Sequence, residues 1–274
     1  MTPLPTSPLA PRLRQRRRLF GAWTSLGHPS ITEIFTTAGV DFVGIDLEHS
    51  TISLEQAQQI IAAAQAGGAA CLPRIASHDG EQVKRLLDSG ADGIIAPNVS
   101  TRAEVEQLAR WCRYPPQGAR GFGVARAQGY GTRFDDYVSG WNARSSLIIQ
   151  IESIRAVEAA DALLAHEAVD GAMAGPYDIS GSLGIPGKIN DPTVTAAVAR
   201  VIEACRRRGK ACGTQLIEPD EQTVAAAFAQ GHTFVVLASD VFLLWKWSER
   251  MRRITQPVRE PRRVAAHGRR VRVR

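Results

Sequence analysis

The sequence predicts a (β/α)8 TIM barrel formed by a single domain. Short apolar segments of strand length alternate with segments of helical periodicity along most of the 274 residues. Eight such repeats are present, the number that closes a parallel barrel, and each takes roughly 30 residues, the size of a strand with its crossover helix. The predicted strands are Phe20–Ser25, Phe42–Glu48, Ala70–Ile75, Gly93–Val99, Leu147–Glu152, Gly171–Asp178, Ala211–Leu216 and Phe234–Asp240.

The segments between these strands carry helix start and stop signals. Ser53 precedes Gln56 by three residues, just before apolar residues at helical spacing, which is typical of a capping box. The Gly67-Gly68 pair ends that helix. The same signals predict helices over Asp79–Leu87, Thr101–Tyr114 and Asp191–Arg208.

No linker divides the chain, and α/β barrels often reach about 250 residues as one domain. A doubly wound parallel sheet is the alternative architecture. That fold usually has a glycine-rich phosphate-binding turn after its first strand, and residues 20–27, FGAWTSLG, contain no such turn. The barrel is therefore favoured, with residues 20–254 as its extent.

The positive charge of the chain is concentrated at its ends. Residues 1–19 contain five arginines and no acid, and residues 251–274 contain nine arginines and one glutamate. The formal charge of the whole chain is +6, so residues 20–250 are acidic, with a net charge of −7. We expect residues 1–19 to be a basic extension and residues 255–274 to be a disordered arginine-rich tail. Tails of this kind can bind polyanions, but they lack the interleaved aromatic residues of a nucleic-acid module.

Other sequence features exclude several classes of protein. The amino-terminal arginines are not followed by a long apolar segment, and no apolar run is long enough to span a membrane. We therefore expect a cytoplasmic protein without a membrane partner. The four cysteines contain no CxxC pair, which argues against a disulfide framework or a zinc site.

Two carboxylates at predicted strand ends indicate a metal site. Glu152 ends the fifth predicted strand and Asp178 ends the sixth. Active sites of these barrels form at the carboxyl ends of the strands, and neighbouring strands lie about 4.8 Å apart, so both side chains can reach one cation. Oxygen ligands suit Mg²⁺ or Mn²⁺. The alternative is that both carboxylates cap the helices that follow them.

A histidine and an arginine stand at other strand ends. His49 follows the second strand and suits a general base, because its ordinary pKa lies near neutrality. Asp46 can orient it, although His49 can also serve merely as a helix cap. Arg74, at the end of the third strand, offers planar donors to a carboxylate or an enolate oxygen. It can also form a structural ion pair with Asp46 or Glu48, and the two roles are not exclusive.

The chain lacks a lysine at any predicted strand end. Its four lysines are Lys84, Lys188, Lys210 and Lys246, which fall in helices, a loop and the lead-in to a strand. A Schiff-base mechanism therefore lacks its nucleophile. Carbanion chemistry assisted by a metal ion fits the sequence better.

Six segments occur in a fixed order over nearly the whole predicted barrel: residues 44–49 (GIDLEH), 73–74 (PR), 86–90 (LLDSG), 114–121 (YPPQGARG), 150–152 (QIE) and 175–180 (GPYDIS). In this order and spacing, the chain resembles the HpcH/HpaI family of metal-dependent pyruvate aldolases. Two departures affect the acceptor pocket: Tyr177 replaces a small residue of well-known members, and Phe122 gives the loop an Arg-Gly-Phe-Gly sequence.

The resemblance implies a barrel that assembles as a homohexamer, with the last helix exchanged between neighbours. It implies that Glu152 and Asp178 hold Mg²⁺ or Mn²⁺, with Co²⁺ or Zn²⁺ as alternatives. His49 and Asp46 would manage the proton, and Arg74 would contact the 2-oxo group of the substrate. Asp88 would reach the site of a neighbouring subunit. The substrate-binding set comprises Gln150, Gly175, Pro176, Tyr177 and Trp23.

The expected reaction is the reversible cleavage of a 4-hydroxy-2-oxo acid to pyruvate and an aldehyde. Two alternatives remain within the fold: an enzyme that adds an enolate to another 2-oxo acid, and a lyase of coenzyme A thioesters. A third alternative from a different class is a non-catalytic barrel that binds a polyanion through its tails.

Overall fold

The computed structural model describes residues 8–259 and confirms the predicted barrel. Eight parallel strands form one closed sheet, in which each strand pairs with the next along the chain and the last pairs with the first. The strands are β1 (Leu19–Thr24), β2 (Phe42–Asp46), β3 (Ala70–Arg74), β4 (Gly93–Ala96), β5 (Ser146–Ile151), β6 (Gly171–Ala174), β7 (Ala211–Leu216) and β8 (Phe234–Leu237).

Helices precede and connect the strands. They are α1 (Leu9–Arg14), α2 (Pro29–Thr36), α3 (Leu54–Ala66), α4 (Gly80–Asp88), α5 (Arg102–Cys112), α6 (Phe134–Arg144), α7 (Ile154–Leu164), α8 (Pro176–Ser182), α9 (Pro192–Arg207), α10 (Glu221–Ala229) and α11 (Asp240–Arg259). The predicted capping box of α3 is confirmed, because Ser53 Oγ accepts from the Gln56 amide and Gln56 Oε1 accepts from the Ser53 amide. Asp79 and Asp191 are N-caps, so α4 and α9 each begin one residue later than predicted.

Four strands end at least two residues earlier than the sequence predicts, and β1, β3 and β5 each end one residue earlier. Pro97 follows β4 and Pro176 opens α8, and proline lacks the backbone N–H that would continue a ladder. The corrected ends are Asp46 instead of Glu48, Ala96 instead of Val99, Ala174 instead of Asp178, and Leu237 instead of Asp240.

Large apolar side chains fill the inside of the barrel. This interior cluster includes Trp23, Phe42, Leu72, Ile95, Ile148, Met173 and Phe234. Two glycines make room for its largest rings, because a Cβ added to Gly44 would collide with the Trp23 ring and one added to Gly213 with the Phe234 ring. The interior is therefore a packed core, which leaves the ends of the strands for chemistry.

Helix α1 closes the barrel at the amino ends of the strands. The sequence predicts only a basic extension here, whereas Leu9 and Leu13 are buried in the interior cluster. These two residues lie four positions apart and so share one face of a helix. Hydrophobic burial therefore orders this part of the extension. Residues 1–7 lie outside the described residues.

The same end of the barrel contains aspartates directly before three of the even-numbered strands, of which Asp170 is buried and the other two are partly buried. Asp41 accepts from the Phe20 amide at 2.7 Å, Asp92 from the Cys71 amide at 2.8 Å, and Asp170 from the Leu147 amide at 2.9 Å. Each bond joins the start of an odd-numbered strand to the residue that precedes its neighbour. The repeated bond fixes the register of the strand pairs.

Arginines of α1 neutralise two of these aspartates. Arg12 forms an ion pair with Asp41, and Arg14 Nε lies 2.6 Å from Asp170 Oδ1. Burial raises the pKa of Asp170, and the positive charge of Arg14 opposes that rise. Part of the basic extension therefore supplies positive charges that pair with aspartates of the barrel.

Helix α11 continues through Arg259, five residues past the predicted end of the barrel. The first residues of the predicted tail are therefore helical, and residues 260–274 lie outside the described residues. Many large apolar side chains of α11 are exposed, among them Leu244, Trp245, Trp247, Met251 and Ile254.

Across residues 8–259, the helices are either too short or too polar to cross a membrane.

We expect Arg14→Ala to destabilise the fold by about 1–2 kcal/mol, because it leaves the buried Asp170 carboxylate without its charged partner. Arg17→Ala is the matched control, since Arg17 is an exposed arginine close to Arg14 in the chain. Urea unfolding monitored by circular dichroism measures both variants. Equal stability of the two variants would contradict a counter-charge role for Arg14.

Candidate active site

Polar side chains from several elements meet at the carboxyl ends of the strands. Asp46 and Arg74 are the last residues of β2 and β3, and they are direct partners in the register of that strand pair. Glu152 follows β5, and Asp178 lies in the first turn of α8. The structure thus brings together the charged residues that the sequence places at strand ends, except that Asp178 reaches the site from a helix.

Arg74 is held between two carboxylates. Its Nη2 lies 2.8 Å from Asp46 Oδ1, and its Nη1 lies 3.0 Å from Glu48 Oε2. The guanidinium carbon lies 5.2 Å from the centre of the Trp23 ring, and 12% of the Arg74 side chain is exposed. The alternative role predicted for Arg74, an ion pair with Asp46 or Glu48, is therefore confirmed. Its exposed part can still face a substrate.

Asp46 organises the turn after β2. Its Oδ1 accepts from the backbone amides of Glu48 at 3.1 Å and His49 at 3.0 Å, in addition to Arg74. The sequence predicts that Asp46 orients the His49 imidazole, but the bond that forms is to the His49 backbone. Asp46 therefore fixes the position of the His49 backbone and not the orientation of its imidazole ring.

The His49 side chain is 72% exposed, and its Nε2 lies 3.7 Å from Glu48 Oε2. Glu48 is therefore the charged neighbour of both His49 and Arg74. Burial raises the pKa of Glu48, and Arg74 opposes that rise. The exposed His49 ring is accessible to water.

Glu152 is the most perturbed carboxyl of the site. Only 7% of the residue is exposed, and burial raises its pKa to about 7, helped by the negative charges of Glu48 and Asp178. Its Oε2 accepts from the Asn98 amide at 2.9 Å, and its Oε1 accepts from Gln150 Nε2 at 3.0 Å. Glu152 is thus rigidly held in a place where its negative charge is unfavourable.

Asp178 is exposed in the first turn of α8. The sequence places it at the end of a strand, which is wrong because the backbone turns into a helix at Gly175 and Pro176. Its negative charge contributes to raising the pKa values of Glu152 and Glu48. The three carboxylates therefore belong to one cluster of negative charge.

The donor set fits a hard divalent cation. Within residues 8–259, no group of three or more His, Cys, Asp and Glu side chains has the arrangement of a metal site. Glu152 and Asp178 nevertheless offer two carboxylates in a region of excess negative charge, and two carboxylates with water suit Mg²⁺ or Mn²⁺. Gln150 Oε1 is also buried and has no hydrogen-bond partner among the described residues.

The remaining predicted substrate-binding residues lie beside Glu152, Asp178 or Arg74. A Cβ added to Gly175 would lie 2.7 Å from Glu152 Cγ and 2.9 Å from Glu152 Oε1, so glycine is required there. Tyr177 is 58% exposed beside Asp178. Trp23 is buried beneath Arg74 and supports the guanidinium from below, so its ring contacts the arginine.

Asp88 lies apart from this site. It ends α4, and the helices of such a barrel run opposite to the strands, so Asp88 lies at the other end of the molecule. There its Oδ1 accepts from Arg120 Nη2 at 2.7 Å. Within one chain, Asp88 does not join the predicted catalytic residues.

The sequence patterns do not identify Asn98, and they indicate Glu48 only as an ion-pair partner of Arg74. Glu48 is part of the quoted segment 44–49, but its role depends on the turn that Asp46 organises. Asn98 donates its backbone amide to Glu152 and its side-chain amide to Glu48 Oε1 at 3.1 Å. The sequence places Asn98 inside the predicted fourth strand, which extends through Pro97 and Asn98 to the apolar Val99. It therefore gives no sign that Asn98 follows the strand and lies at the site.

Comparisons with known proteins agree with this architecture. The family described as HpcH/HpaI aldolase/citrate lyase matches residues 19–246. A crystal structure of an HpcH/HpaI aldolase from Desulfitobacterium hafniense superposes with a TM-score of 0.83 at 28% identity, covering 92% of this chain and 98% of that one.

Two sequence relatives are similar over most of their length. A hydroxypyruvate/pyruvate aldolase of Roseobacter denitrificans is 33% identical over 244 residues, which cover 88% of this chain and 94% of the relative. A 5-keto-4-deoxy-D-glucarate aldolase of Shigella dysenteriae is 34% identical over 222 residues, which cover 81% of this chain and 86% of the relative. The chain belongs to the HpcH/HpaI aldolase/citrate lyase family.

Proposed function

We propose that this protein is a divalent-metal-dependent aldolase that reversibly cleaves a 4-hydroxy-2-oxo acid to pyruvate and an aldehyde. The observation that carries the proposal is the buried Glu152 carboxylate, whose charge is opposed by Glu48 and Asp178 and compensated in part by Arg74. The relatives named as aldolases support the same reaction class. One of them is named for hydroxypyruvate as well as pyruvate, so both acids are donors to test.

Glu152 and Asp178 would hold the cation, with Mg²⁺ or Mn²⁺ as the first choice for two oxygen ligands. When bound, the cation supplies a Lewis acid for the 2-oxo group and a counter-charge for the enolate. The bonds from Asn98 and Gln150 keep Glu152 in one orientation, so little side-chain freedom remains to be lost on binding.

Arg74 would contact the 2-oxo oxygen of the substrate. Its two ion pairs fix the guanidinium plane, so the remaining donors point in set directions. In the cleavage direction, the C3–C4 bond breaks and its electron pair moves into the enolate. A fixed positive charge beside the enolate oxygen stabilises that charge as it develops.

His49 would move the protons. Cleavage removes the proton of the 4-hydroxyl group and later adds a proton to C3 of the enolate. An exposed imidazole can exchange either proton with water, and Asp46 holds the backbone from which the ring extends. Gln150 and the segment Gly175 to Tyr177 would hold the carboxylate end of pyruvate.

We further propose that the chain works as a homohexamer in which α11 is exchanged between neighbours. The exposed apolar side chains of α11, including Trp245 and Trp247, support burial against another subunit. In such an assembly Asp88 would approach a neighbouring site, which accounts for its distance from the catalytic residues of its own chain.

The proposed function is tested by proton NMR of pyruvate in D₂O with purified protein. Metal-dependent loss of the methyl signal is expected, because enolate formation exchanges the methyl protons for deuterium. No loss with Mg²⁺, Mn²⁺, Co²⁺ or Zn²⁺ would overturn the proposal. Loss of the corresponding signal from another 2-oxo acid alone would move the function to a different enolate donor.

We expect Glu152→Gln and Asp178→Asn each to lower the rate of methyl exchange by at least about 100-fold, because each removes a charge that would hold the cation. Glu158→Gln is the matched control, since Glu158 is exposed on α7. Thermal unfolding should show all three variants folded. Wild-type exchange in either site variant would contradict the assigned ligands.

We expect Arg74→Lys to lower the exchange rate by about 10–100-fold, because a lysine cannot pair with Asp46 and Glu48 while presenting a planar group to substrate. Arg85→Lys on the exposed surface of α4 is the control. Rates are compared at saturating metal. An Arg74→Lys variant as fast as the control would limit Arg74 to a structural role.

We expect His49→Ala to slow methyl exchange by about 100-fold or more while leaving Mn²⁺ affinity unchanged, because the variant removes a proton carrier and no cation ligand. Exchange is followed by NMR, and Mn²⁺ binding by electron paramagnetic resonance. Unchanged exchange would remove His49 as the base, and a large loss of Mn²⁺ affinity would instead make it a cation ligand.

A further inference from the structure

Asn98 connects two carboxylates of the active site through two different groups. Its backbone amide donates to Glu152 Oε2 at 2.9 Å, and its side-chain amide donates to Glu48 Oε1 at 3.1 Å. Glu48 and Glu152 are both carboxylates, and they lie close enough together to accept hydrogen bonds from the same residue. A neutral residue that donates to both carboxylates therefore holds them in place against their repulsion.

The backbone of Asn98 adopts a conformation that few residues accept. Its φ is +54°, in the left-handed region, where asparagine is favoured over most other side chains. The next residue is also fixed, because the Val99 amide donates to the Gln150 carbonyl at 3.2 Å. The turn after β4 is thereby tied to β5, and the Asn98 amides point at the carboxylates as a consequence.

Glu48 extends this arrangement to the residues that would contact substrate. One oxygen of Glu48 accepts from Asn98, while the other pairs with Arg74 and lies near His49. Without Asn98, the Glu48 carboxylate can rotate away from this orientation. The second contact of Arg74 would then loosen, although its contact with Asp46 would remain.

We propose that Asn98 is a positioning residue for the aldolase reaction, which acts through Glu48 to orient Arg74. This inference rests on the proposed function, since it assigns the orientation of Arg74 to catalysis. Asn98 is itself exposed, so its contribution to the packed core is small. Its side chain can therefore be changed with little effect on the fold.

Asn98→Gly is the sharpest variant. Glycine accepts the positive φ and keeps the backbone amide that donates to Glu152, so only the bond to Glu48 is lost. We expect the rate of pyruvate methyl exchange to fall about tenfold, the effect of one hydrogen bond to a charged group. Mn²⁺ affinity should stay within about twofold and the melting temperature within about 2 °C of wild type, because the contact to Glu152 is kept and Asn98 packs little of the core. Asn190→Gly, at an exposed asparagine before α9, is the matched control.

Asn98→His tests whether a donor is what matters. Histidine also tolerates a positive φ, and its Nδ1 occupies nearly the position of the asparagine amide. We expect this variant to exchange methyl protons faster than Asn98→Gly. A rate no better than that of the glycine variant would overturn the role of the side-chain donor.

A double-mutant cycle with Glu48→Ala tests the path through Glu48. If Asn98 acts through Glu48, adding Asn98→Gly to Glu48→Ala should cause no further loss of rate. A further tenfold loss would overturn the inference, because Asn98 would then act independently of Glu48.

Failure of this inference differs from failure of the proposed function. A wild-type protein without metal-dependent exchange overturns both. Metal-dependent exchange in wild type, with an equal rate in Asn98→Gly, overturns the positioning role alone.

Discussion

The rest of the active site depends on the crowding of carboxylates around Arg74. Asp46 and Glu48 engage the guanidinium directly, while Glu152 and Asp178 add further negative charge at the same end of the barrel. A buried carboxylate among like charges is costly unless a cation compensates it. The pKa of Glu152, raised to about 7, expresses that cost. This cost is the reason that we propose a cation at the site.

The carboxylates at the two ends of the barrel differ in how fully their charge is compensated. At the amino ends of the strands, Asp41 and Asp170 are paired with Arg12 and Arg14 of α1, so the chain supplies its own counter-charges. At the carboxyl ends, the charge of Glu152 is compensated only in part. The packed interior separates the two ends. This asymmetry assigns stability to one end and chemistry to the other, as is usual in this fold.

The sequence predicts the barrel because its apolar runs and helix caps keep a regular order, and it locates Glu152 because that residue directly follows an apolar strand. It misplaces Asp178, although Gly175 and Pro176 signal that a helix begins there. It misses Asn98, whose importance comes from a backbone conformation that residue types alone do not specify.

Helix α1 also differs from what its charge predicts. Five arginines dominate residues 1–19, so the segment resembles a solvated extension. The spacing of Leu9 and Leu13 is the sequence signal for a buried helical face, but the partners of Arg12 and Arg14 are known only once the strands meet.

The central claim, that Glu152 and Asp178 bind a cation, is tested most directly by electron paramagnetic resonance of Mn²⁺ titrated into the protein. The account predicts one bound Mn²⁺ per chain, lost in Glu152→Gln; a signal of free Mn²⁺ from the first addition would contradict it.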